Sequence, residues 1–146
     1  MKYSIELIIN KSRDKVWDKF DSVENFYKWQ PTLTEFIHES GEAGQPGAKS
    51  RLKYRERNKD YEMTETITSR KKPEEFSGTY EMKGTKNFIK NKFTDVGEGK
   101  TKWELDSEFE FGGIFKLISP LMKGMIVKRT KTDMNRFKDL VEGNLG

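Results

Sequence analysis

The chain has 146 residues, which suits one domain with a sizeable buried core and is too short for a multidomain enzyme. Charged residues make up 36% of it and balance to +4, and cysteine is absent, which excludes a disulfide framework, a thiolate zinc site and a cysteine nucleophile. Ten Phe, five Tyr and three Trp offset a low aliphatic content, since each aromatic side chain can bury about 150–250 Å² and a few can supply much of a core.

Residues 2–9 alternate, with Tyr3, Ile5, Leu7 and Ile9 on one face of an expected strand. Charge interrupts this stretch, so a secretory leader is not expected, and no apolar run approaches the length of about 20 residues that spans a bilayer. A cytoplasmic location is expected. Ser12 is placed to cap a helix over 13–20 carrying Val16, Trp17 and Phe20, and Ser22 a second helix through Lys28 carrying Val23, Phe26 and Tyr27, which Pro31 stops. From Thr34 the period changes to two, predicting six further strands near 34–40, 48–57, 61–69, 75–83, 86–95 and 101–111. Their polar breaks, Asn58-Lys59-Asp60, Lys71 to Pro73, Gly84-Thr85 and Gly97-Glu98-Gly99, suit the hairpins of an antiparallel meander. After Gly112-Gly113, Ser119-Pro120 reads as an N-cap and first helical residue. The stripe Leu121, Met122, Met125, Ile126, Met134, Phe137, Leu140 and Val141 then predicts a helix over 120–141. At about 33 Å it could cross a whole sheet. With no repeat or linker, residues 1–146 read as one domain.

This order of elements resembles the helix-grip fold of the START, Bet v 1 and polyketide cyclase superfamily over nearly the whole chain. The residues that carry the likeness are Val16-Trp17, Asn25-Phe26-Tyr27-Lys28-Trp29-Gln30-Pro31, Ser119-Pro120-Leu121 and Phe137-Lys138-Asp139-Leu140-Val141-Glu142. It looks most like the polyketide cyclase/dehydrase-like group. One departure is Ser22, preceded by Asp21, where that group commonly has a capping aspartate; both residue types cap helices. The resemblance implies an α+β fold, a seven-stranded curved antiparallel sheet wrapped on a long C-terminal helix, with an apolar cavity between them for a hydrophobic small molecule. Fold alone does not name a ligand.

Alternation assigns the inward face: Leu52, Tyr54 and Glu56; Met63, Glu65 and Ile67; Phe76, Gly78, Tyr80 and Met82; Ile89, Asn91 and Phe93; and Trp103, Leu105, Ser107, Phe109 and Phe111. The terminal helix adds Met122, Met125 and Ile126. From this set Tyr54, Met63, Glu65, Tyr80, Met82, Asn91, Phe93, Trp103, Leu105, Phe109, Met122, Met125 and Ile126 are the expected ligand-lining residues, apolar and aromatic with a few placed polar groups. The plainer reading of the same pattern is a filled core. Glu65, between Met63 and Ile67, is the sharpest polar case: a raised pKa would let it act as general acid or base, with Tyr54, Tyr80 or Asn91 as hydrogen-bond partner. Glu56, beside a hairpin, is expected to be solvated.

His38 is the only histidine, so a Ser-His-Asp triad or multi-histidine metal site is excluded. Gly41, Gly44 and Gly47 precede a strand and read as turns, not as a dinucleotide fingerprint. Basic residues on the outer strand faces stand beside acids, which argues against a nucleic-acid surface. Lys123, Lys128, Arg129 and Lys131 on the terminal helix could make a weak contact with an anionic membrane. The first expectation is therefore a cofactor-free, metal-free binding or carrier protein for a hydrophobic, lipid-like or aromatic molecule. The alternatives are a cofactor-independent cyclase or dehydratase in which Glu65 and Tyr80 move protons, and a protein-partner module with a filled core and an exposed apolar patch.

Overall fold

The computed structural model describes residues 1–112 and 120–144. Its elements follow the order β1 (Lys2–Ile9), α1 (Arg13–Phe20), α2 (Val23–Trp29), β2 (Leu33–Ser40), β3 (Lys49–Glu56), β4 (Lys59–Lys71), β5 (Glu75–Met82), β6 (Thr85–Gly97), β7 (Lys100–Phe111) and α3 (Pro120–Glu142). The strands form one seven-stranded antiparallel sheet in the order β1-β7-β6-β5-β4-β3-β2. Five successive hairpins thus lay down β2 to β7, and β1 closes the far edge against β7.

The hairpins are tighter than the polar breaks suggest. Glu56 pairs with Lys59, so the β3–β4 turn consists of Arg57 and Asn58, both at positive φ (52° and 63°), as a two-residue turn matched to strand twist requires. Lys59 and Asp60 belong to β4. Ser22 caps α2 as expected, its side chain accepting from the Asn25 amide at 3.1 Å. Ser12 occupies the N-cap position of α1 but caps only through its carbonyl, which accepts from Val16 at 3.0 Å. The expected cap Ser119 and the turn residue Gly113 lie outside the described residues.

Two apolar clusters occupy the inner face of the sheet. The larger joins Ile5, Ile9, Val16, Trp17, Trp29, Phe93, Trp103, Leu105, Met134, Phe137 and Val141. Phe20 sits at its centre, its ring 5.1 Å from Phe93, 5.6 Å from Phe137 and 5.9 Å from both Trp29 and Trp103. Aromatic pairs in such edge-on and stacked arrangements stabilise beyond their buried area, by about 0.5–1.5 kcal/mol each. This cluster fixes α1, α2 and the C-terminal half of α3 on the sheet. The smaller cluster, Leu33, Leu52 and Tyr54 with Phe26, Phe36, Tyr61, Met63 and Tyr80 against it, lies at the β2–β4 end.

Candidate functional site

Between the two clusters runs a polar band. Ser50 pairs with Glu65, Glu65 with Tyr80, Tyr80 with Asn87 and Asn87 with Phe109, so these five side chains form one cross-strand row on the inner face. The next row towards the aromatic core is Ile67, Gly78, Ile89, Ser107 and Tyr3. Ser50, Glu65, Asn87 and Ser107 are all buried, where an unpaired polar group costs stability. Asn87 meets that cost by donating from Nδ2 to Ser107 Oγ at 2.8 Å and to the Glu108 carbonyl at 3.1 Å.

Glu65 is 5% exposed, and among the described residues its hydrogen bond comes from Tyr80, whose Oη donates to Oε2 at 2.8 Å. Burial pushes the Glu65 carboxyl above the usual carboxylate range, and the Tyr80 bond offsets part of that rise. Burial and then the Glu65 charge hold the Tyr80 phenol well above its ordinary value, so Tyr80 stays a donor. A Cβ at Gly78 would crowd the Thr66 carbonyl at 3.1 Å, whereas Tyr80 Oη, at 3.6 Å, would be in ordinary contact.

Of the three partners expected for Glu65, the structure brings only Tyr80 to it. Tyr54 instead donates to Gln30 Oε1 at 2.9 Å and stacks on Tyr61. Asn91 lies two rows further into the core and accepts from Trp103 Nε1 at 3.0 Å, a satisfied structural amide. Phe93, Trp103 and Leu105 are packed within the aromatic cluster, as the filled-core reading has it. Met63, beside the row, and Phe109, at its end, are half-buried, and Phe109 stacks between Tyr3 and Phe111. Met82 stands on the rim. Met122 and Met125, expected on the inward stripe, are instead exposed, and only Ile126 of that group is half-buried.

Glu56 and Arg129 correct the sequence reading together. Glu56 is not free in solvent, and Arg129 is not part of an open basic face: Arg129 Nη1 donates to Glu56 Oε2, and Nη2 to Thr32 Oγ1 at 2.9 Å. Arg129 thereby ties α3 to the end of β3 and to the α2–β2 connection. Asp133 lies 3.7 Å from both Arg129 and Arg136. Burial pushes its carboxyl up to about 6, against the pull of the two arginines and with Glu56 adding to the rise. Ser50, Asn87 and this arginine cluster are the site residues that sequence reasoning missed.

Two depressions mark the outer surface. One of about 560 Å³ lies on the sheet face turned away from α3, among Ser4, Ser77, Thr79, Phe88, Lys90 and Asp106. The other, about 460 Å³, lies along the N-terminal half of α3. Among the described residues no group of three or more His, Cys, Asp or Glu could hold a metal, and no helix is long and apolar enough to cross a membrane.

A family profile described as polyketide cyclase / dehydrase and lipid transport matches residues 2–142. No curated protein matches the sequence. Solved structures share the fold at low identity. Ara h 8.0201 superposes with a TM-score of 0.82 at 15% identity, covering 99% of both chains. A START superfamily protein from Mycobacterium smegmatis gives 0.80 at 12%, covering 97% of both. The Zhui aromatase/cyclase from Streptomyces sp. R1128 gives 0.78 at 14%, covering 97% of this chain and 93% of that one.

Proposed function

The chain belongs to the polyketide cyclase/dehydrase and lipid transport family, and from that premise we propose that it binds a hydrophobic small molecule bearing one polar group, between the inner face of the sheet and α3. The observation that carries this reading is the row of buried Ser50, Glu65 and Asn87 with half-buried Tyr80, set between two apolar clusters. A sheet designed only to be filled would gain from apolar side chains there, because each buried polar group must be matched by a partner. An amphipathic ligand would add apolar contact and bring a polar group to a row whose members already hold one another in place, as small-molecule sites commonly require. The reading is of a cofactor-free carrier acting in the cytoplasm, with Met63, Phe109 and Ile126 against the ligand body. Removing the polar anchor with Glu65→Leu and Asn87→Leu should weaken an amphiphile with a hydroxyl or carbonyl head by about tenfold, the scale of one or two hydrogen bonds, and leave a pure hydrocarbon of equal length unaffected. Equal losses for both compounds would contradict the anchor.

The hydrogen-bonded pair of Glu65 and Tyr80 favours a second reading, in which Glu65 serves as general acid or base, with Tyr80 beside it, for cyclisation or dehydration. Glu65→Gln preserves shape and hydrogen bonding. If catalysis is present, turnover falls by about 10²- to 10⁴-fold at nearly unchanged affinity; unchanged turnover sinks the assignment.

A further inference from the structure

On the sheet, five of the ten lysines stand beside an acid. Lys2 stands near Glu108, Lys53 near Glu35, Lys86 near Glu81, Lys90 near Glu75 and Lys102 near Glu104, each within 4.0 Å. The N-terminal half of α3 has no acid of its own. From residue 120 to residue 132 the helix contains Lys123, Lys128, Arg129 and Lys131 and no acidic residue. Arg129 is engaged by Glu56 and Asp133, whereas Lys123, Lys128 and Lys131 have no ion-pair partner among the described residues.

Exposed apolar side chains stand beside Lys128 on this helix, with Lys131 on their flank and Lys123 on the other side. Leu121 is 76% exposed and Met125 59%, the two most exposed large apolar side chains described. They fall at i and i+4 with Lys128 at i+7, so one stripe of the helix surface carries all three. That stripe lies away from the side on which Met134, Phe137 and Val141 enter the core. Lys123, Lys128 and Lys131 also line the shallow depression of about 460 Å³ with Pro120, Gly124 and Val127. Its floor is bare at Gly124, where a Cβ would meet nothing within 4 Å.

We infer that this face of α3 docks on an anionic lipid surface, with Leu121 and Met125 entering the interface and Lys128 and Lys131, on the same side and its flank, meeting lipid phosphates and carboxylates. Exposed apolar residues interleaved with uncompensated lysines on one helix are what interfacial binding requires, and long lysine side chains bury their stems while keeping the ammonium at the headgroups. A nucleic acid would use the lysines but not Leu121 and Met125. A second copy of the same face would bring like charges together. The inference is independent of what the inner face binds.

The test is co-sedimentation of the full chain with vesicles of phosphatidylcholine alone and of phosphatidylcholine mixed with phosphatidylserine. Binding should be confined to the anionic vesicles and weaken as salt screens the surface. Reversing Lys128 and Lys131 together to Glu should lower partitioning more than about twentyfold, at about fivefold per lysine neutralised near the surface, and Leu121→Ser with Met125→Ser should lower it several-fold at unchanged charge. Circular dichroism confirms that each variant is folded; these side chains are exposed, so they should be. Absence of binding to anionic vesicles, equal binding to both vesicle types, or binding that survives the double reversal would overturn the inference. So would self-association through this face, detected by sedimentation velocity and abolished by the same variants.

Discussion

Glu65 has its carboxyl group inside the sheet with Tyr80 as its hydrogen-bond donor. That bond favours the ionised form, while burial disfavours it. Tyr80→Phe should therefore raise the Glu65 pKa further, as read from its carboxyl carbon shift against pH; an unchanged or lowered value would mean that the bond is not formed in solution. The inward position of Glu65 is legible in the sequence because Met63 and Ile67 flank it with the same parity. Its partner is not, since parity places Tyr54, Tyr80 and Asn91 on the same face and only the pairing register selects among them. Asn87 and Ser50 escaped notice for a related reason. Each lies between charged or mixed neighbours near a strand end, Lys86 and Phe88 for one, Lys49 and Arg51 for the other, so no contrast in polarity marks it.

At the scale of elements, α3 is two helices in one. Its C-terminal half is locked by Met134, Phe137 and Val141, and Phe137→Ala should cost about 3–5 kcal/mol in chemical denaturation, the range for deleting a fully buried aromatic; a loss under about 1 kcal/mol would mean that the aromatic cluster collapses around the gap. Its middle is tied by Arg129 to Glu56 and Thr32, with Asp133 buried beside both Arg129 and Arg136. The Asp133 carboxyl is raised from 3.8 to about 6 in the folded chain. The folded state therefore binds the extra proton between these values, and stability is lost as pH rises from about 4 to 6. Relative to Asp133→Asn, the natural chain should lose roughly 3 kcal/mol between pH 4 and pH 7, at about 1.4 kcal/mol per unit. A difference independent of pH, or of opposite sign, would show that the arginines dominate over burial. Helical periodicity showed which residues of α3 share a stripe; it could not show how far along its length the helix stays against the sheet. For that reason Met122 and Met125 were expected inside and Arg129 outside.

Across the whole molecule, the architecture was legible because strand alternation, capping residues and the aromatic content all point to one arrangement. Tyr3, Ile5, Leu7 and Ile9 set the face of β1, and the hairpin breaks fell within a residue or two of the observed turns. The ligand was not legible, because an aromatic stripe such as Phe76, Phe93 and Trp103 reads the same whether it lines a pocket or fills a core, and here Phe93 and Trp103 fill one. What separates the two cases is the placement of polar side chains on the inner face, a property of the folded sheet. The most direct measurement is native mass spectrometry of the freshly expressed chain, followed by denaturing extraction and identification of what is released. A discrete adduct of a few hundred daltons, lost on denaturation and weakened by Glu65→Leu with Asn87→Leu, is the predicted result. A bare mass that stays unchanged after incubation with mixed lipids and aromatic amphiphiles would contradict the ligand-binding account.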